Sequence, residues 1–357
     1  MNIATHSLSA FALAAVCTAS IGLAPTTAQA EEIVRVPAEW EPQEAVWMQW
    51  PPAIEGTYKP NFADIIEAAQ SHQPVELLVM STSDERAARS YLSRRGVSLD
   101  NVGFHIVKHD WSWMRDNGPI YVERNGEAVI QDWGFDGWGG YAKKVRRDDA
   151  VPCQVADAED VSCEDHNGFV TERGTMEFNG EGAMITSWTV LHDRNPMMTK
   201  ADMERYFLAE LGVTQTVWLE GSPSDDITGG HTDGVARFID ASTVAVARYL
   251  DRDHQDAWVY DLAAEEIAAA GFDVVRMDVP GEITYKGARM SVNYMNWLVI
   301  NDAVILTGFG TPSWDQAAAR TVEGYFPGRE VYVVNGLELW YYGGGIHCVT
   351  NDQPAAP

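Results

Sequence analysis

From residue 62 to residue 334 the chain alternates two kinds of segment: short apolar runs of strand length, and longer stretches whose apolar residues recur every three to four positions. The strand-like runs are Val75 to Met80, Val102 to Val107, Ala128 to Asp132, Ala183 to Trp188, Val235 to Ile239, Thr243 to Arg248, Asp273 to Met277, Trp297 to Ile300, Ala303 to Leu306 and Glu330 to Val334. The helical stretches are Phe62 to Ser71, Asp84 to Arg95, Lys200 to Leu211, Gln255 to Ala270 and Asp315 to Tyr325. No Pro/Ser-rich linker or low-complexity tract interrupts them, so the chain reads as one α/β domain. Three polar, glycine-flanked loops stand at equivalent points of the recurring pattern: Arg115 to Gly118, Gly229 to Gly234 and Gly343 to Cys348. If repeated units surround an axis, those loops meet on it.

The chain has 357 residues, 46% of them apolar and 13 of them Trp, ample for a buried core. Its formal charge of −27 argues against nucleic-acid or anionic-membrane partners, which require clustered cations. The one basic run, Lys143 to Arg147, is followed directly by Asp148-Asp149 and reads as a solvated loop. The acidic field suits a cationic ligand; adaptation of the surface to salt explains it equally well.

Residues 1–30 contain no Asp, Glu, Lys or Arg, carry an apolar run from Leu8 to Val16 and end Ala28-Gln29-Ala30 before Glu31-Glu32. This is the pattern of a cleaved signal peptide, although the cationic n-region is missing. The expectation is a signal peptide over 1–30 and a single catalytic domain over 31–357, exported to the periplasm or secreted, with no membrane in its mature form. Cys17 leaves with the leader. Cys153 and Cys163, ten apart in what reads as a polar loop, could close into a disulfide in an oxidising compartment, and Cys348 is then the unpaired thiol.

Cys348 follows three glycines, Gly343 to Gly345, which let backbone and ligand approach closely. A thiol is a nucleophile only where its pKa, ~8.5 when free, is lowered or a base stands by; a buried inert cysteine at a strand end is the alternative. His231 and Asp233 lie two apart, which in an extended segment points both side chains the same way. A metal site would need further ligands at recognisable spacing, and none is found, so no metal or cofactor is expected. The loop Asp110 to Pro119 joins Trp111, Trp113 and Asp116. It reads either as a tight turn with Arg115 paired to Asp116, or as a carboxylate and an indole that hold a planar cation. Glu172 adds a third carboxylate. A thiol, an imidazole and three carboxylates on glycine-bordered loops suit a guanidinium, whose central carbon is electrophilic and whose N–H groups pair with carboxylates.

At these residues the chain resembles the guanidine-modifying superfamily, within it the agmatine deiminase and bacterial-type peptidylarginine deiminase family. The likeness runs from Val36 to Pro42 through Arg115-Asp116-Asn117-Gly118-Pro119, Asp132 to Phe135 with Trp138-Gly139-Gly140, Asn179 to Gly182, Arg194-Asn195-Pro196 and Gly230 to Gly234, to the terminal Gly-Gly-Gly-Ile-His-Cys. It implies a pentein-like, five-bladed α/β propeller with the site on its central axis. By position Cys348 resembles the nucleophile, His231 the general acid/base, Asp116 and Asp233 the carboxylates that hold the guanidinium, and Glu172 the partner of the histidine. One departure is Arg173, where relatives usually have glycine; it could crowd or neutralise Glu172. The reaction implied is cofactor-free deimination through a Cys348 thiouronium.

Trp133 to Gly140 resembles the agmatine type, with Asp136 a candidate partner for the distal amine and Trp111, Trp113 and Gly345 as substrate contacts. Export and the basic run favour peptidyl-arginine instead. A Cys-His peptidase and a non-catalytic periplasmic binding protein for cations are the rivals from other classes, and a homo-oligomer is compatible with the sequence.

Overall fold

The computed structural model describes residues 33–224 and 226–356. The leader expected over 1–30, with Cys17, lies outside the described residues. Ile33 to Pro357 forms one compact unit.

All ten strand-like runs and all five helical stretches correspond to observed elements, with ends shifted by a few residues. Apart from one two-stranded hairpin, the described strands sort into five sheets that repeat one plan: an antiparallel pair, then a helix that carries the chain to a parallel neighbour. Ile120–Arg124, Glu127–Gly134 and Ser162–Val170 form the first sheet, extended at its edge by Val34–Arg35. Met176–Phe178, Ala183–Ser187 and Gln215–Leu219 form the second, and Ala236–Phe238, Thr243–Tyr249 and Asp273–Val279 the third. Leu298–Ile300, Ala303–Gly308 and Glu330–Asn335 form the fourth. In the fifth, Thr350–Pro354 pairs antiparallel with Gln43–Gln49, which continues in parallel to Val75–Val79 and Val102–Ile106. The last described strand is therefore paired with an early one, Gln43–Gln49.

The sequence accounts for which strands are central. Ala303–Gly308 is apolar apart from Thr307 and is buried at all six positions, as a strand covered on both faces must be. Its parallel neighbour Glu330–Asn335 buries only Val334 and leaves Glu330, Val333 and Asn335 exposed. The Lys200–Leu211 helix starts at a reciprocal Thr199–Asp202 cap and stops at Gly212, whose φ of 66° only glycine adopts readily. That stop also lets Gly212 pass against the backbone of Val34, where a Cβ would lie 1.8 Å from the carbonyl oxygen.

One local expectation is corrected. Cys153 lies on the helix Val151–Glu159 and Cys163 on the strand Ser162–Val170, not in a polar loop, and the two form a disulfide across that helix–strand corner. The run Lys143 to Arg147 is an exposed loop, as expected. Asp148, which follows it, is fully buried and accepts the backbone N–H groups of Asp110 and Trp111, while Asp149 accepts that of Phe135. A hairpin, Gly281–Tyr285 with Ala288–Val292, is inserted between the third and fourth units.

Candidate active site

The five units share more than their topology. Asp116 precedes the first strand of the first unit, Glu172 that of the second, His231 and Asp233 that of the third, Asn296 that of the fourth and Cys348 that of the fifth. Equivalent loops of the five repeats thus supply one residue group each. All six side chains are buried.

Cys348 sits on a single 3-10 turn, His347–Val349, immediately before the closing strand. Asn296 holds it from both sides: its Nδ2 donates to Sγ (3.2 Å) and its Oδ1 accepts the Cys348 N–H (3.3 Å). Asp233 Oδ2 lies 3.8 Å from Sγ. A Cβ on Gly344 would fall 3.1 Å from Sγ and 2.4 Å from the Trp113 ring, and one on Gly345 would fall 2.4 Å from Asn296 Oδ1. The glycines are therefore needed for packing behind the thiol. Gly345, expected as a substrate contact, lines neither cavity at the site and acts as a positioning residue.

His231 Nδ1 stands 3.5 Å from Asp116 Oδ1 and Nε2 3.7 Å from Glu172 Oε2. Neither ring nitrogen completes a hydrogen bond. The expected extended segment is instead a 3-10 turn, Thr232–Gly234, yet Asp233 and His231 both face the wider cavity. Asp116 is on the short helix Met114–Asn117 and accepts the Trp138 indole N–H (2.8 Å). Trp138 holds a φ of 58° between Gly137 and Gly139, a left-handed backbone that costs energy in a tryptophan and aims its indole at the carboxylate.

Arg115 does not pair with Asp116. Its guanidinium binds Asp352 (2.6 Å) and the His347 carbonyl, and Arg173 binds the other oxygen of Asp352 (3.1 Å). Arg173 is thereby turned away from Glu172, which pairs with Arg194 (2.9 Å). Gly174 is the residue against His231: a Cβ there would lie 2.6 Å from Nδ1 and 2.9 Å from Asp116 Oδ1. Gly174→Ala is expected to lower kcat about 100-fold, with a stability loss of about 1–3 kcal/mol from overpacking. Wild-type kcat in that variant would show that the His231–Asp116 arrangement tolerates displacement.

A charged network behind the site was not read from the sequence. His347 Nδ1 meets Asp233 Oδ2 (2.7 Å) and Nε2 meets Glu39 Oε2 (2.9 Å). Arg237 joins Glu39 to Glu177 and to the carbonyls of Met295 and Trp297. Burial and the guanidiniums of Arg115 and Arg237 disfavour a charged His347. A neutral ring carries one N–H, however, so two carboxylate contacts are complete only with the imidazolium. Glu39 and His347 fall within recognised motifs, but nothing in one sequence shows that residues 39, 233, 237 and 347 meet. Asn296 gave no signal at all.

The environment drives the two substrate-facing carboxylates apart. Asp116 is pushed up to about 7 by burial, with Asp233 and Glu172 adding to the rise. Burial also acts on Asp233, but His347 outweighs it and holds this carboxyl below its ordinary value. For His231, burial is outweighed by Asp116, Glu172 and Asp233, which raise it to about 10. Burial, then the charges of Asp233 and Asp116, push the Cys348 thiol well up. These surroundings favour a protonated thiol and an imidazolium among the carboxylates.

Cys348 lies where two cavities meet. A wide one of about 430 Å³ includes His231, Asp233, Asn293, Asn296 and Ala288 to Ser291 of the inserted hairpin. A narrow one of about 140 Å³ includes Asp116, Trp111, Trp113, Trp138 and Glu55. Asp136 lines neither. It accepts the Gly139 N–H (2.7 Å) and faces Arg194 at 3.8 Å, so the expectation that it meets a distal amine is corrected.

A repeated α/β architecture that brings a cysteine, a histidine and paired carboxylates onto one cavity defines an enzyme acting on guanidino groups, a C–N hydrolase. The chain belongs to the Porphyromonas-type peptidyl-arginine deiminase family, whose profile matches residues 35–354. It is 30% identical to the agmatine deiminase of Pseudomonas aeruginosa strain LESB58, over 93% of this chain and 98% of that protein. The solved agmatine deiminase of Enterococcus faecalis superposes with a TM-score of 0.82 at 27% identity, covering 91% of this chain and 96% of that one. The substrate-bound agmatine deiminase of C. jejuni, solved as a cysteine-to-serine variant, shares the fold at 23% identity, with a TM-score of 0.83 over 92% of this chain and 98% of that one.

Proposed function

We propose that this enzyme deiminates agmatine to N-carbamoylputrescine and ammonia through a covalent Cys348 thiouronium. The observation that carries the reading is the thiol flanked by two buried carboxylates, Asp116 and Asp233, beside a buried His231. Two carboxylates around one small buried site call for a cation between them. A docked guanidinium offsets the charges that hold the thiol protonated. The thiol then releases its proton to water, and Sγ adds to the guanidinium carbon. His231 gives its proton to one nitrogen, which leaves as ammonia and leaves a thiouronium cation. Neutral His231 next takes a proton from water as that water attacks the same carbon, and the C–S bond breaks to release the substituted urea. Asp116 and Asp233 orient the carbon throughout.

The agmatine assignment is supported by the names of the relatives and by the narrow cavity, whose described lining includes no Lys or Arg to hold an arginine carboxylate. The test is ammonia release from agmatine, free arginine and an arginine-terminated peptide. Agmatine is expected to exceed the others in kcat/KM, and citrulline from the peptide at a higher kcat/KM would overturn the assignment. Asp116 must be ionised to hold the cation, and its raised value means that this form is lost as the pH falls through about 7. Below about pH 7, kcat/KM is expected to drop roughly tenfold per unit; a flat profile down to pH 5 would remove Asp116 from this role. The Cys153–Cys163 disulfide supports placing the working enzyme in an oxidising, exported compartment.

A further inference from the structure

The narrow cavity includes a carboxylate for which the deimination steps have no use. Glu55, on the 3-10 turn Ala53–Tyr58, is 2% exposed, and neither of its carboxylate oxygens has a hydrogen-bonding partner. A buried carboxylate in that condition is costly. Burial pushes its pKa up to about 7; Ser112 and Trp113 stand close enough to temper the rise without completing a bond. The remaining wall is aromatic, including Tyr58, Trp113, Trp138 and Tyr342. The same cavity reaches Cys348 and Asp116, and no cationic side chain is among its described lining residues. Its second buried carboxylate is therefore open to a ligand's positive charge, separate from the guanidinium that Asp116 takes. Aromatic rings between two carboxylates suit a methylene chain with a cation at each end.

We propose that Glu55 binds the distal ammonium of the substrate and so makes the site specific for aminoalkylguanidines over guanidines that end in an alkyl or carboxylate group. This deepens the deiminase reading of Cys348 and rests on it. The test compares kcat/KM for agmatine with that for butylguanidine, which lacks only the amine, in the wild type, Glu55→Gln and Glu55→Asp. Glu55→Gln is expected to lower the agmatine-to-butylguanidine ratio at least about tenfold, mainly through the KM for agmatine, because a charge-assisted bond is lost. Glu55→Asp keeps the charge on a shorter arm and is expected to fall between. An unchanged ratio in Glu55→Gln overturns the proposal, since a merely structural residue would affect both substrates alike. Should that variant fail to fold, the same ratio read in Glu55→Asp decides, with a lower value supporting and an equal value overturning it. If the wild type releases ammonia from neither compound, the agmatine reading fails. Calorimetric Kd values for the two compounds on the wild type and Glu55→Gln then give the same ratio, with the same two outcomes.

Discussion

Cys348→Ala is expected to lower ammonia release from agmatine by at least about four orders of magnitude, with folding intact, as when a residue that forms the covalent intermediate is removed. The loss of activity should lie in the chemistry. Sγ is held by Asn296 beside Asp233 and a cavity, while Cys348 also belongs to a buried apolar cluster with Trp113 and Ile346, so a small stability loss is expected alongside the loss of chemistry. Agmatine should still bind, and somewhat more tightly if the thiol crowds the guanidinium carbon. Single-turnover measurement with purified variant and wild type, alongside calorimetry, separates the two effects. Turnover within tenfold of wild type would exclude the thiol as nucleophile.

Arg237→Ala is expected to cost about 3–5 kcal/mol of stability, the range for breaking a buried ion pair from one side. The guanidinium is 1% exposed and lies between Glu39 and Glu177, both buried, while also donating to two carbonyls. Truncation removes the cation between the two carboxylates and leaves Glu39, among the described residues, with only His347 as an ion-pair partner. Glu39 is also one of the two acceptors of His347, whose other contact is Asp233, so the damage reaches the site. Urea denaturation monitored by tryptophan fluorescence checks the figure; a change below about 1 kcal/mol would show that the network relaxes around the loss. Arg237→Lys should recover only part, since an ammonium cannot reproduce the fork of donors.

Much of the fold was legible because its central strands are continuous apolar runs and its helices carry a clear three-to-four period. Several of the elements that went unread are polar or short. Ser162–Val170 carries acidic and amide residues on its exposed positions, and Thr350–Pro354 contains polar residues that are buried by backbone pairing with Gln43–Gln49. For the site, glycines near Cys348 and His231 pointed to the correct loops. The pairing of charges did not follow from adjacency: Arg115 beside Asp116, and Arg173 beside Glu172, both turn to Asp352, more than 170 residues away. Glu55 was passed over because Pro-Pro-Ala-Ile-Glu-Gly reads as an ordinary surface turn, and only the packing of Trp113 and Tyr58 shows that it is enclosed.

Pairing of Thr350–Pro354 with Gln43–Gln49 places the thiol two residues from a seam between distant parts of the chain. A seam of that kind closes late, since the contacts it joins are remote in sequence. It is also the single strand whose release would carry the sulfur off while the other four sheets keep their pairings. Catalysis is therefore the property most sensitive to local opening there, and mild heat or denaturant should silence the enzyme before its fluorescence reports any loss of fold.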